Sequence, residues 1–241
     1  MTLSFEALLI TGIFCFYLYD SATLAFSNEL FFIESFGKWS ASFPSERLRV
    51  LGKLLLIPNP ATPFNLLFVA TWNETDGVTS VKSNDMANLL ANTTYLRVSV
   101  IILMMMMLIL FPLVTYKFGL GIIALVLLLL IYLTIIVMLC YLYIKKEFYG
   151  LSKKKFIALA FESIACPPFA LNMLRKLSLK CPFQQDPIKF AVKKLDADGF
   201  NTFKKKLIEK LSEQLDWEDE EASPRSLYLT KYRKRLTRTK Q

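Results

Sequence analysis

The chain has 241 residues, 54% of them apolar, with 29 Lys and Arg against 20 Asp and Glu. It contains no His, which removes the commonest general base, the commonest metal ligand and the usual pH switch. A soluble domain holds roughly 45–50% apolar residues, and the excess here is gathered into long runs that point to a membrane.

The first run, Ala7 to Tyr19, is uncharged and lies between Glu6 and Asp20. A secretory leader wants a basic start. MTLSFE has none, so the expectation is a signal-anchor helix within residues 1–24.

Residues 25–97 read as a β-rich module. Glu29 to Glu34 (ELFFIE) is an apolar run between acids, followed by a turn containing Gly37. Trp39 to Phe43 alternates with period two, as a half-buried strand does. Leu48 to Ile57 reads as a third strand with a bend at Gly52. Pro58 to Pro63 (PNPATP) is a rigid connector that no helix crosses. Asn65 to Trp72 is a fourth strand, and residues 73–92 read as a loop. The set Phe31, Phe32, Phe36, Trp39, Phe64 and Trp72 reads as sheet core and interfacial anchors ahead of a ligand pocket. Glu29 and Glu34 lie five apart, on opposite faces of one strand, which argues against a catalytic pair.

Residues 98–144 predict a transmembrane helical hairpin. Val98 to Tyr116 is uncharged, and so is Gly119 to Ile144, where 17 of 26 residues are Leu, Ile or Val. A helix needs about 20 apolar residues to cross a bilayer core. Gly119 and Gly121 suit the tight turn, and Pro112 predicts a kink. Met104 to Met107 point all round a helix and so cannot converge on an ion.

Residues 145–181 predict a basic interfacial segment. Lys145, Lys146, Lys153, Lys154, Lys155, Arg175, Lys176 and Lys180 are the candidate contacts to anionic headgroups. Phe156 to Leu174 is apolar enough to tempt a fourth crossing. Glu162 and Pro167-Pro168 favour a broken helix at the interface instead. Basic residues crowd the exit of the last span and Arg97 stands before the hairpin. By the bias of Lys and Arg, the C-terminus is therefore expected in the cytoplasm and the hairpin turn outside.

Residues 182–241 predict a cytoplasmic helical region with a basic tail. A helix opens at Pro187 and runs to Lys194, and Asp196 to Gly199 reads as a turn. That turn is no calcium loop, because the glycine comes at the fourth position and Leu207 stands at the twelfth. Thr202 to Leu215 predicts a helix with Phe203, Leu207, Leu211 and Leu215 on one stripe. The stripe is expected on the β unit first and on a protein partner second. Residues 225–241 hold seven Lys and Arg and no acid. Beside a membrane this reads as a solvated or lipid-facing tail that can fold back on the acidic run Asp216 to Glu221, ahead of a nucleic-acid contact. Cys15, Cys140, Cys166 and Cys181 lack the spacing of a disulfide framework or a zinc site.

Tyr19 to Phe64 (YDSATLAFSNELFFIESFGKW…SFPSERLRVLGKLLLIPNPATPF) and Cys166 to Leu179 (CPPFALNMLRKLSL) resemble a family of uncharacterised bacterial inner-membrane proteins. The resemblance implies the bacterial inner (cytoplasmic) membrane and brings no activity with it; the apolar spans make the expected chain multi-pass.

The expected fold class is thus membrane α+β: an anchor helix, a small cytoplasmic β unit, a transmembrane hairpin and C-terminal amphipathic helices. No catalytic residue, cofactor or metal ligand is assigned. The leading functional expectation is a non-catalytic membrane-anchored scaffold or assembly protein. A small transporter, or one subunit of a transport complex, is weaker because the two strong spans carry no ionisable residue. A lipid-acting membrane enzyme, with Asp20, Glu29 or Glu34 near the headgroups, has no nucleophile–base pair behind it.

Overall fold

The computed structural model describes residues 5–50, 52–72, 84–181, 183, 185–216 and 224–238. Helix α1, Phe5–Ser21, is followed by strands β1 (Thr23–Ala25), β2 (Glu29–Ser35), β3 (Lys38–Ser42), β4 (Ser45–Val50), β5 (Lys53–Leu56) and β6 (Leu66–Thr71). They form two three-stranded antiparallel sheets, β3-β2-β6 and β1-β5-β4. Three of the four expected strands are β2, β3 and β6. The expected strand Leu48 to Ile57 is instead a hairpin, β4–β5. Gly52, at φ +77°, reverses the chain and Val50 pairs with Lys53. Only glycine takes that backbone conformation without steric cost.

The β2–β3 turn is unusual. Phe36 (φ 47°) and Gly37 (φ 87°) both lie in the left-handed region, as a two-residue primed turn requires. A bulky residue there is uncommon. Its neighbours hold it: the Gly37 N–H donates to Glu34 Oε1 at 2.6 Å, and the Arg97 guanidinium lies 5.1 Å from the Phe36 ring centroid.

Strand β2 is covered on both faces, and period two divides its side chains between them. Phe31 packs between the sheets with Ala25, Leu56 and Leu67. Phe32 points the other way, 5.2, 4.8 and 6.0 Å from the rings of Phe183, Phe190 and Phe203. Burying each such ring stabilises the fold by about 1.5–3 kcal/mol.

Helices α2 (Asn84–Asn92) and α3 (Thr94–Met104) lead into a π-helical stretch, Met105–Leu110, and then α4 (Phe111–Phe118). Part of the expected loop is therefore helix α2, and residues 73–83 lie outside those described. The π winding precedes Pro112. The Phe111 N–H bonds the Met106 carbonyl, five residues back. A proline ring collides with the carbonyl four residues before it, and the wider winding gives that carbonyl room. Gly119 (φ 69°) makes the tight turn into α5 (Ile122–Ile144). Thr94–Phe118 and Ile122–Ile144 are both long and apolar enough to cross a membrane.

Beyond α5 come α6 (Lys153–Ala165), α7 (Pro167–Ala170), α8 (Met173–Leu179), α9 (Pro187–Lys194), α10 (Ala197–Asp216) and α11 (Pro224–Arg238). The helix break expected at Pro167-Pro168 falls at Cys166. Helix α6 folds back along the end of α5, with the Phe156 ring 5.2 Å from Tyr143.

Two C-terminal expectations are corrected. Asp196 to Gly199 is a helix start: Asp196 Oδ1 accepts the Gly199 N–H at 2.9 Å, so α10 begins before Thr202. The basic tail is helix α11, with Leu229, Tyr232 and Leu236 buried. It lies on α10, where Lys204 Nζ donates to the Thr237 carbonyl at 3.1 Å and Arg233 to Ser212 at 3.3 Å. Its expected fold-back on the acidic run concerns residues 217–221, outside those described.

Candidate functional site

Charged side chains cannot stay buried without partners, so the buried charges show where the chain invests its polar chemistry. They collect at two places where the β unit meets the helices.

The first is a closed ion pair. Glu34, on β2, and Arg97, on α3, are 4% and 7% exposed at the side chain, and Arg97 donates to Glu34 Oε2. The second Glu34 oxygen holds the Gly37 N–H. One carboxylate therefore ties a strand turn to the foot of the first long apolar helix.

The second is a graded network among α1, the PNPATP loop and α7–α8. Its inner member is Arg175, 3% exposed. One guanidinium nitrogen donates to the Asn59 and Thr62 carbonyls at 2.6 and 2.9 Å, and another to Asn172 Oδ1 at 3.2 Å. Burial lowers the Arg175 pKa from its ordinary value, and the nearby Tyr17 phenol opposes that shift. Asn172 turns its amide nitrogen to the Tyr17 carbonyl (3.2 Å) and Asp20 Oδ2 (3.1 Å). The Tyr17 hydroxyl donates to the Pro60 carbonyl. The outer member is Lys176, 2.7 Å from Asp20 and 3.1 Å from Glu162. Beside it, burial pushes the Cys166 thiol up, offset in part by a hydrogen bond from the Phe169 backbone.

Residues remote in sequence meet here because prolines and breaks position them. Pro58 and Pro63 are buried at the two ends of the loop, which presents its carbonyls inward. The break at Cys166 sets α7 and α8 on a new course, so Asn172, Arg175 and Lys176 face α1 and the loop. On α8, Ser178 Oγ accepts the Leu67 N–H at 2.8 Å and covers the free edge of β6. The arrangement fastens elements together: its cations bond carboxylates and carbonyls.

The expected surface residues divide. Lys153, Lys154, Lys155 and Lys180 are exposed, while Lys145 and Lys146 are half-buried. The ammonium of Lys145 lies 5.1 Å from the Phe148 ring and that of Lys146 4.6 Å from the Tyr143 ring. Lys155 and Lys180 line one pocket of about 290 Å³ with Glu147 and Tyr149. Arg175 and Lys176, expected at headgroups, are engaged inside the network instead. The stripe expected on the β unit first and on a partner second is turned inward: Phe203, Leu207 and Leu211 are buried and Leu215 half-buried. The Phe203 ring lies 6.0 Å from Phe32 of β2 and 6.0 Å from Phe43 just after β3, so the stripe covers the chain's own sheet. Glu29 accepts the Phe26 N–H at 2.8 Å, a local turn bond away from Glu34.

The sequence reading missed Asn172 and Tyr17, and did not pair Glu34 with Arg97 or Asp20 with Lys176. A signal was present. Asp20, Arg97 and Lys176 are charges at the margins of apolar runs, where burial calls for a partner, whereas Asn172 and Tyr17 lie inside such runs and carry no charge to mark them.

No family model, no curated protein and no solved structure matches this chain.

Proposed function

We propose that the chain is a membrane-anchored scaffold or assembly protein of the bacterial inner membrane, holding a cytoplasmic platform on a bundle of spans. In this reading Thr94–Phe118 and Ile122–Ile144 cross the bilayer with their turn outside. Helix α1 enters from the outside, and the β unit and α9–α11 lie in the cytoplasm. The outward side chains of α5 support it: Leu125, Leu129 and Leu133 are 63, 60 and 52% exposed, a costly surface in water and a neutral one in lipid. Lys145, Lys146 and Lys153 to Lys155 then stand at the cytoplasmic headgroups.

The observation that carries the functional reading is the fastening. Glu34 with Arg97 joins the β unit to α3, Arg175 joins its loop carbonyls to α8, and Lys176 with Asp20 ties α8 in turn to α1. A platform fixed to its anchor keeps one face at a constant height and angle over the membrane, which is what an assembly site requires.

The test has two parts. A reporter fused after Gln241 should read cytoplasm, and one inserted between Lys117 and Gly119 should read the far side. Purification of the full chain from its membrane in mild detergent, after cross-linking in cells, should then yield a protein partner in stoichiometric amount. A solitary chain that turns over copurified lipid would replace the scaffold by an enzyme.

A further inference from the structure

We propose that the groove between α5 and α6 binds one acyl chain of an anionic phospholipid of the cytoplasmic leaflet, with its phosphate met by Lys145, Lys146 and Lys153. The proposal rests on the membrane placement above and names a specific lipid contact of that surface.

The groove has a volume of about 480 Å³ and is lined by Ile136, Cys140, Tyr143, Ile144, Phe156 and Ile164, among others, which present only apolar surface to it. Along α5 it covers the stretch from Ile136 to Ile144, a little over two turns or about 12 Å at 1.5 Å per residue. A slot of that shape, walled by two helices, suits an extended hydrocarbon chain. Its outer rim on α6 is apolar as well. Ile157, Phe161 and Ile164 are 65, 73 and 46% exposed and follow one another at helical spacing. That stripe continues the exposed face of α5, where Leu133, Ile136 and Val137 stand open.

Charge decides which occupant fits. Tyr143, Ile144 and Phe156 line the groove close to the α5–α6 connection, where the lysines gather. The Lys146 ammonium lies over the Tyr143 ring at 4.6 Å. Lys145 follows Ile144 directly, and Lys153 lies one helical turn before Phe156, on the same side of α6. An apolar slot that ends where Lys146 sits on its wall, with Lys145 and Lys153 adjoining in the chain, matches an acyl chain beneath a phosphate. A zwitterionic lipid brings its own cation to the same place and gains less. Each lysine near an anionic surface adds to that preference.

The experiment reconstitutes the full chain in phosphatidylcholine vesicles carrying a minor fraction of phosphatidylglycerol with a photoreactive acyl chain. Adducts are then mapped by mass spectrometry. Label should concentrate on the segments holding Cys140 and Phe156, and unlabelled phosphatidylglycerol should compete where extra phosphatidylcholine does not. The triple variant K145Q/K146Q/K153Q removes the charges, keeps every residue that lines the slot and should lower that labelling by about tenfold or more. Cys140→Trp, which fills the slot, should abolish it with any headgroup. Label spread evenly over the exposed face of α5 would overturn the site in favour of general bilayer contact, as would equal competition by phosphatidylcholine. Absence of label together with a chain-to-chain cross-link would assign the groove to a second copy instead. Carbonate extraction of the same membranes separates the two layers of the argument. A chain that is released loses both the membrane reading and the lipid site, whereas an integral chain with uniform label loses only the site.

Discussion

The two joints between the β unit and the helices use the same residue types in opposite surroundings. Glu34 and Arg97 are closed off from solvent. The network on α1 and α8 runs outward from Arg175, almost wholly buried, to Glu162, whose side chain is 49% exposed. A closed pair has no water to substitute for a lost partner, whereas an open one does. The closed joint should therefore fail abruptly on removal of one charge, and the open joint should weaken by degrees from its core to its rim.

The largest effect is expected at the closed joint. Arg97→Met leaves Glu34 buried without its cation, which costs about 3–5 kcal/mol. Adding Glu34→Gln removes the stranded charge and keeps an acceptor for the Gly37 N–H. The double variant should recover most of the loss. Denaturation midpoints of the detergent-solubilised protein measure both. A double variant no better than the single one would mean that Arg97 acts through packing on Phe36 and not through charge.

Next comes Arg175→Lys, which keeps the charge and loses the fork. A single ammonium cannot span the Asn59 and Thr62 carbonyls and Asn172 together. Losing even one hydrogen bond to a charged group costs about 1.5–3 kcal/mol. Hydrogen exchange of the loop 58–63 should rise with it. Unchanged protection of that loop would show that its prolines hold it without the guanidinium.

Ser178→Ala tests the seam between α8 and β6 and should cost about 1–3 kcal/mol, because the Leu67 N–H is then buried without an acceptor. A loss of less than half a kcal/mol, read from the same midpoints, would mean that water reaches that strand edge.

How much of this was legible in the sequence depended on the range of the interaction. Patterns internal to one segment were readable: the two apolar helices, the turn at Gly119, the strands β2, β3 and β6, and the stripe on α10. Where a single residue reverses the chain, the reading failed in a definite way. Leu48 to Ile57 reads as one strand because Gly52 in a bend and Gly52 in a two-residue turn leave the same trace. Strand β1 has three residues, too few for a period to register. The tail was read from its charge, yet Leu229, Tyr232 and Leu236, at spacings of three and four, carry the helical pattern that docks it on α10. The joints were the least legible. Asn172 meets Tyr17 across 155 positions, and Arg175 meets Asn59 across 116. Composition says that buried charges need partners, and only the fold says which ones.

The smallest effect is expected at the rim of the open joint, where one lysine serves two acids. Lys176 Nζ is 2.7 Å from Asp20 Oδ1 and 3.1 Å from Glu162 Oε2. Asp20 is 11% exposed at the side chain, is shared with the Asn172 amide and sits where solvent screens poorly. Glu162, half exposed, is open to solvent and ions. Glu162→Gln should therefore cost no more than about 0.5 kcal/mol, as exposed pairs do. That cost should vanish in high salt, where screening acts within a few ångströms. Lys176→Gln should cost more, about 1–2 kcal/mol, and should keep most of that cost in salt, because it strands the less exposed carboxylate. Denaturation midpoints of the two variants at low and high ionic strength give the comparison directly. Equal salt sensitivity in both would mean that Asp20 is as open as Glu162, and that the joint is graded in geometry alone and not in strength.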